Sequence, residues 1–139
     1  MILATGAAAA EPVCQGDTET AGNTAPATHH YGMHRHLLHL LCIADRLAQG
    51  DYKEAAALAK VKLGLKSAAG KRDASPEFVE PDQKTWELGW RFRQQASRLS
   101  EIAEAAAQNP ARADAGKINA EFVKLTKACF DCHQALEAP

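Results

Sequence analysis

The chain lacks the features that mark several large classes of protein. Its 139 residues include no apolar run near the ~18 residues that a bilayer span requires. Sixteen Lys and Arg residues nearly balance seventeen Asp and Glu residues, so the net charge of −1 argues against a nucleic-acid-binding protein or a polybasic membrane clamp. Aromatic residues make up only 6% of the chain, and this scarcity disfavours an all-β sandwich. The length is that of a single domain.

The first 28 residues differ in composition from those that follow. Residues 1–10 are rich in alanine and resemble the end of a secretory signal with an A-x-A cleavage site, although no basic segment precedes them. Residues 11–28 are rich in Gly, Thr, Pro and Ala, and such a composition buries too little apolar surface to offset the entropy of ordering. We therefore expect residues 1–28 to be a leader remnant and flexible tail, or simply a disordered tail, ahead of one domain at residues 29–139.

Apolar residues recur at helical spacing in four segments, and no segment has the alternation of a strand. These segments run from about residue 29 to 49, 52 to 69, 82 to 109 and 113 to 136. Gly50 ends the first helix, Asp51 caps the second and Asp82 opens the third. Residues 70–81, with two prolines, are predicted to be a loop. Four amphipathic helices predict an all-α fold, an antiparallel up-down-up-down four-helix bundle.

Residues 129–133 carry the strongest chemical signal. They read Cys-Phe-Asp-Cys-His, the C-x-x-C-H pattern of covalent haem attachment. Thiols three residues apart lie on one side of a helical turn, so Cys129 and Cys132 can each form a thioether with a haem vinyl group. The adjacent His133 then offers its imidazole to the iron. The sequence predicts one covalently attached haem c, with its iron, per chain.

Other uses of a C-x-x-C pair fit this sequence less well. A redox dithiol would normally sit at a helix N-terminus, where the dipole lowers the thiol pKa, whereas this pair falls in the last turns of the fourth predicted helix. A zinc site would need a second ligand pair at comparable spacing, and the sequence has no other C-x-x-C. Two core cysteines that happen to precede a histidine are the remaining alternative.

With this motif near the C-terminus, residues 29–136 resemble the cytochrome c′ family of four-helix-bundle c-type cytochromes. The likeness also rests on the methionine of the first helix and the tryptophans of the third. Residues 33–36, Met-His-Arg-His, and the later Gly50-Asp51 pair are similar to segments of the six-coordinate members. The resemblance implies a haem held between helices, His133 as its proximal ligand, and a homodimer formed through the first two helices.

One position departs from the gas-binding members of that family. They commonly carry a basic residue about one turn after the motif histidine, where this chain has Glu137. The departure weakens the expectation of a gas-sensing mechanism.

The resemblance also implies that a second iron ligand would come from the first helix. At 100° per residue, with Leu37 taken as the centre of the apolar stripe, His30 lies about 20° and Met33 about 40° from that centre. The depth that matches His133 falls between these two residues, and Met33 matches the methionine of the family. We predict Met33 as the distal ligand and His30 as the alternative. Two alternatives stay open: another histidine of this segment as the distal ligand, or no protein ligand on that side of the iron.

The remaining ligand-type side chains have weaker signals. Five histidines fall between residues 29 and 39. His30 and His34 share one face of the helix and could bind a copper, nickel or zinc ion. A solvated role, or a role in supporting the haem site, fits these histidines better. Cys42 lies about 140° from the assumed stripe centre, so we expect it to point outward. In an oxidising compartment it would pair with Cys14 or bridge two chains; otherwise it stays a partly exposed thiol. The Lys and Arg residues of the third and fourth helices are expected to form a solvated face.

Two functions follow from a haem in this setting. The first is a periplasmic electron carrier, not an enzyme, that works with a redox partner protein. His/Met ligation keeps such an iron six-coordinate in both redox states, and the thioether raises the reduction potential. The second is a cytochrome c′-like module for NO or CO, which needs an open distal position. Haem attachment through C-x-x-C-H takes place outside the cytoplasm, so either protein would be exported.

Overall fold

A computed structural model describes residue 14 and residues 29–73 and 82–137. Within these ranges the chain is helical and contains no strand. The α-helices are α1 His29–Ala48, α2 Tyr52–Leu58, α3 Ala68–Asp73, α4 Gln83–Gln108 and α5 Ala115–Glu137. A π-helical turn, Ala59–Leu63, continues α2, and a 3₁₀ turn, Pro110–Arg112, precedes α5. The predicted all-α fold class is confirmed, and the predicted leader and tail lie outside the described residues except for Cys14.

The turn between α1 and α2 forms as its sequence predicts. Gly50 has a φ of 71°, a left-handed conformation that glycine adopts without strain. The Gly50 N–H donates to the carbonyl of Leu47 at 3.1 Å, and the Asp51 N–H donates to that of Arg46 at 2.9 Å. The Asp51 carboxylate then accepts from the N–H of Glu54 at 3.2 Å and caps α2.

The start of α4 is also confirmed. The carboxylate of Asp82 accepts from the backbone N–H of Thr85 at 2.8 Å and from its hydroxyl at 2.7 Å. These hydrogen bonds to Thr85 hold the pKa of Asp82 below its ordinary value.

The second helix ends earlier than its apolar pattern predicts. The prediction extends it to residue 69, but the backbone becomes extended at Gly64, whose ψ is 178°. The Gly64 N–H donates to the carbonyl of Ala59 at 2.8 Å, which closes the wider π-helical turn. The short α3 then occupies Ala68–Asp73, including the first part of the predicted loop.

A buried serine organises the turn between α2 and α3. The Ser67 hydroxyl donates to the carbonyl of Gly64 at 2.6 Å and accepts from the N–H of Gly70 at 2.9 Å. On the α4 side, the Ser97 hydroxyl accepts from the N–H of Leu65 at 3.0 Å. A Cβ on Gly64 would lie 2.8 Å from the Ser97 oxygen, and a Cβ on Gly70 would lie 2.6 Å from the carbonyl oxygen of Gly64. At position 70 the obstacle is backbone and only glycine fits, whereas a side chain at position 64 would displace the Ser97 hydroxyl from the N–H of Leu65.

One apolar cluster joins α1, α2, α4 and α5. Its buried members are Leu40, Ile43, Leu47, Ala55, Ala59, Leu63, Phe92, Ala96, Leu99, Ala106, Ile118 and Leu125. The most extensive contacts are those of α4 with α5 and with α2. No described helix is both long and apolar enough to cross a membrane.

The buried face of α1 differs from the predicted one. Leu40 and Leu47, which the apolar pattern also assigns to the buried side, are buried, but Leu37, taken as the centre of the stripe, is 51% exposed and Ile43 is buried in its place. Because α1 carries leucines on several faces, packing against α2 rather than the apolar pattern selects the side that is buried. The error also reverses the expectation for Cys42, which is 6% exposed instead of pointing outward.

Candidate functional site

The C-x-x-C-H motif lies on the inner face of α5. Cys129, Cys132 and His133 are all half-buried. At 100° per residue they fall within about 70° of the line through the fully buried Ile118 and Leu125. The three predicted site residues of α5 are therefore brought to one side of the helix, toward the core.

The two residues inside the motif point the other way. Phe130 is 61% exposed. The carboxylate of Asp131 accepts a hydrogen bond of 2.6 Å from the ammonium of Lys127, one turn earlier on the solvent side of α5. The side chains of Phe130 and Asp131 therefore leave the interior side of the helix to Cys129, Cys132 and His133.

The motif cysteines are free thiols whose surroundings favour the protonated form. Burial raises the pKa of Cys129, and the neighbouring Cys132 raises it further. Burial likewise raises the pKa of Cys132, against a smaller lowering by the positive charge of Arg93. A redox dithiol has a lowered thiol pKa and a place at a helix N-terminus. Cys129 instead follows the first residue of α5, Ala115, by fourteen residues, so both observations argue against a redox dithiol.

Arg93 connects the motif to the turn between α2 and α3. Its guanidinium is buried, with the residue 5% exposed, and donates to the carbonyl of Leu63 at 3.2 Å, with a longer contact of 3.5 Å to the hydroxyl of Ser67. Its charge also acts on Cys132. The expectation that the basic residues of α4 are all solvated is wrong here. Arg93 lies seven residues, or two helical turns, before the buried Ser100, at the edge of the buried face of α4. This spacing could have predicted the burial of Arg93 from the sequence.

Aromatic residues occupy the first half of α4. The rings of Trp86 and Trp90 stack with centroids 5.5 Å apart and an interplanar angle of 9°, and both residues are half-buried. Two residues after Trp90, the ring of Phe92 lies 5.2 Å from that of His36 in α1, measured between ring centroids. Phe92 and His36 link the first half of α1 to the interior of α4.

The predicted distal ligands belong to α1. Met33 and His30 lie within this helix, as predicted, but their side chains fall outside what the structure describes. The angles that directed both residues inward were measured from Leu37, which is exposed, so the angular part of the prediction is wrong. Of the other histidines, His39 is half-buried, and its pKa is lowered by burial and then by the charges of Lys62 and Arg35. Among the described residues, no three His, Cys, Asp or Glu side chains are grouped to hold a metal ion.

The two cysteines outside the motif form a disulfide. Cys14 pairs with Cys42 at a Cα separation of 5.4 Å. Of the pairings left open by the sequence, the intrachain bridge is the one that forms. It attaches the chain at residue 14 to the second half of α1 and leaves both motif thiols unpaired.

A buried carboxylate fixes α5 against α4. Glu121 is 4% exposed, and its carboxylate binds the ammonium of Lys124 at 2.8 Å, the amide of Gln95 at 2.7 Å and the guanidinium of Arg98 at 3.3 Å. The hydrogen bond from Lys124 is the largest of the effects that lower the pKa of Glu121. Nothing in the sequence pattern singled out this residue, because a glutamate on an amphipathic helix is usually solvated.

Comparison of the chain with protein-family models, with curated proteins and with solved structures found no match.

Proposed function

We propose that the chain is an exported, periplasmic c-type cytochrome that carries one electron. Its haem would be attached to Cys129 and Cys132, with His133 as the proximal ligand of the iron. One observation carries the proposal: all three motif residues lie on the inner face of α5, and both thiols are unpaired. When bound, haem supplies an iron that takes up and releases a single electron.

The state of the thiols suits this attachment. Each S–H would add across a vinyl C=C bond of the haem, so that sulfur would bond to one carbon and hydrogen would go to the other, and no oxidant would be consumed. Burial raises the pKa of both thiols and keeps the hydrogen on sulfur. The Cys14–Cys42 disulfide uses the other two cysteines, so the motif has no competing partner within the chain.

We further propose that the long helices pack as an antiparallel up-down-up-down bundle. The Ser100 hydroxyl of α4 donates to the carbonyl of Ala56 in α2 at 2.9 Å. Two turns earlier in α4, Arg93 donates to the carbonyl of Leu63, which lies two turns later along the α2 segment. This opposite order supports an antiparallel pair. The short connection at residues 109–114 and the contacts of Glu121 with α4 support a second hairpin, α4–α5.

The register of α1 against α5 supports Met33 as the distal ligand. A shallow pocket is lined by Leu47 near the end of α1 and by Asn119 near the start of α5. Met33 precedes Leu47 by fourteen residues, and His133 follows Asn119 by fourteen. In antiparallel helices these equal steps, each ~21 Å long, bring the two residues to the same depth. A methionine on the far side of the iron from His133 would keep the iron six-coordinate and its reorganisation small.

The same counting along α4 brings the tryptophan pair to the motif. Gln95 and Glu121 are hydrogen-bonded across the α4–α5 hairpin. Cys129 follows Glu121 by eight residues, and Trp86 precedes Gln95 by nine. Both steps are roughly 12–14 Å. Large flat side chains at this depth fit a group that needs an extensive apolar surround.

Two further proposals concern the setting of the protein. The Cys14–Cys42 disulfide supports an oxidising compartment and therefore export. Leu37 and Leu41, one turn apart on α1, are 51% and 56% exposed. A homodimer through the first two helices, as the family resemblance implies, would cover them.

Optical spectroscopy of the oxidised and reduced protein tests the function. We expect a low-spin haem spectrum, a far-red charge-transfer band typical of methionine ligation in the oxidised state, and haem that resists acid–acetone extraction. A broad high-spin Soret band would instead favour an NO- or CO-binding protein. Absence of bound haem after expression with a c-type maturation system would overturn the proposal.

A further inference from the structure

The segment that joins α2 to α3 carries a one-sided charge. Residues 55–72 include five basic residues and no acidic one, in a chain whose net charge is −1. Lys60, Lys66 and Lys71 are exposed, and Lys62 is half-buried. We refer to these four lysines, which lie within twelve consecutive residues, as the lysine face. Within the described ranges, no ion pair joins Lys60, Lys66 or Lys71 to a carboxylate.

The lysine face has an apolar element and a positive potential that reaches α1. Val61 stands between two of its lysines and is 57% exposed. The charges of Lys62 and of Arg35 in α1 both act on His39 and, after burial, lower its pKa. An exposed apolar residue between two lysines offers a small contact at which opposite charge on a partner speeds association.

The lysine face lies at the end of the fold that holds the motif. Lys62 and Lys66 flank the backbone from residue 63 to residue 65, and Arg93 donates to the carbonyl of Leu63 at the start of that stretch. The same guanidinium acts on Cys132. One buried side chain, Arg93, therefore interacts both with the backbone beside these lysines and with Cys132.

We propose that the lysine face docks an acidic surface of a protein that exchanges electrons with this chain. The inference rests on the proposed function, because a carrier must bring its partner close to the haem and then release it. Electrostatic attraction gives fast association and fast release when the contact is small. The charge of the face identifies the chemistry of the partner: clustered Asp and Glu side chains around a small apolar contact.

A redox-inert anion tests the surface directly. Hexacyanochromate(III), a paramagnetic trivalent anion, broadens the amide signals of a protein wherever it docks. At an ionic strength of ~10 mM we expect broadening of the signals of residues 60–71. The charge-reversal variant Lys60→Glu/Lys66→Glu/Lys71→Glu should lose it. The matched control is Lys53→Glu/Arg112→Glu/Lys117→Glu, which changes the charge of three exposed basic residues by the same amount. These residues lie near the two turns that border the Leu47–Asn119 pocket, away from the motif.

Electron transfer provides the second measurement. Oxidation of the reduced holoprotein by ferricyanide should slow by about tenfold or more in the lysine-face variant, with much less change in the control, and the difference should shrink in high salt. Equal effects of the two variants, or broadening spread evenly over the protein, would overturn the proposal. The proposal would also be overturned if the wild-type protein and the control sedimented with phosphatidylglycerol vesicles and the lysine-face variant alone did not. The lysine face would then bind a lipid surface.

The two measurements separate this inference from the proposed function. If the protein binds no haem, the anion still reports on the lysine face by NMR, so a localised and variant-sensitive signal supports a docking surface while the electron carrier fails. If haem is attached and reducible but the anion docks elsewhere, the carrier stands and the lysine face fails.

Discussion

The guanidinium of Arg93 donates a hydrogen bond of 3.2 Å to the carbonyl of Leu63, thirty residues earlier in the chain. Removing it should leave that buried carbonyl without its donor. We expect Arg93→Met to lower the free energy of unfolding by about 2 kcal/mol. The exposed neighbour Arg91 supplies the control, since Arg91→Met should change stability by no more than about 0.5 kcal/mol. Urea unfolding measures both, and equal losses would contradict a specific role for Arg93.

The motif thiols should be the only covalent links to haem. In the double variant Cys129→Ala/Cys132→Ala, acid–acetone should extract the haem, and the melting temperature should fall because a large cavity opens in the interior. The pair Cys14→Ser/Cys42→Ser is the control and should keep its haem covalently bound. Retention of covalent haem in the first variant would mean that the motif has been misinterpreted.

His133 should determine the spectrum rather than the attachment. His133→Ala removes the axial imidazole, so the native low-spin spectrum should disappear even where both thioethers form. The comparison is His39→Ala, which removes a half-buried histidine next to Lys62 and should leave the spectrum intact. Mass spectrometry of the haem-bearing peptide reports attachment separately. An unchanged low-spin spectrum in His133→Ala would remove this residue from the site.

Met33 should decide between a carrier and a gas binder. A soft thioether prefers ferrous iron, so Met33→Ala should lower the reduction potential, open a coordination position and allow rapid CO binding to the ferrous protein. The wild-type protein should bind CO slowly or not at all. Rapid CO uptake by the wild-type protein would favour the NO/CO-binding function. If His30→Ala, and not Met33→Ala, produced the high-spin form, the iron would have two histidine ligands.

Glu121 should make stability depend on pH in the acidic range. Its folded pKa is lowered, chiefly by the hydrogen bond from Lys124, so its contribution is present above the ordinary pKa of a glutamate, ~4.3, and is lost as the pH falls through the folded value. Glu121→Gln should therefore lower the melting temperature at pH 7, and the gap from wild type should close below about pH 4. Glu101→Gln, at an exposed position of α4, should leave no such gap. A pH-independent gap for Glu121→Gln would contradict the assignment.

Local signals in the sequence predicted the helix ends that depend on one or two residues. Gly50, Asp51 and Asp82 act through backbone conformation and neighbouring N–H groups, so their roles could be predicted without knowledge of the fold. The inner position of Cys129 and Cys132 likewise follows from helical spacing relative to Ile118.

Features that depend on contacts between helices could not be predicted in this way. The choice of a buried face on α1, which reversed the expectations for Leu37 and Cys42, depends on which of several leucine faces α2 covers. Burial of Arg93 and Glu121 depends on partners 30 and 26 residues away in sequence, Leu63 and Gln95. No local pattern encodes such pairs.

The close packing around Ser67 limits how this part of the chain can vary in evolution. A methyl group on Gly70 would collide with backbone, one on Gly64 would displace the hydroxyl of Ser97, and the serine midway between the two glycines satisfies polar groups on both sides. We therefore expect homologues that retain this turn to keep the pattern Gly-x-x-Ser-x-x-Gly, even where the surrounding lysines are replaced. The pattern is independent of the C-x-x-C-H motif, so descent of the scaffold could be traced in proteins that have lost, or never acquired, the cysteines.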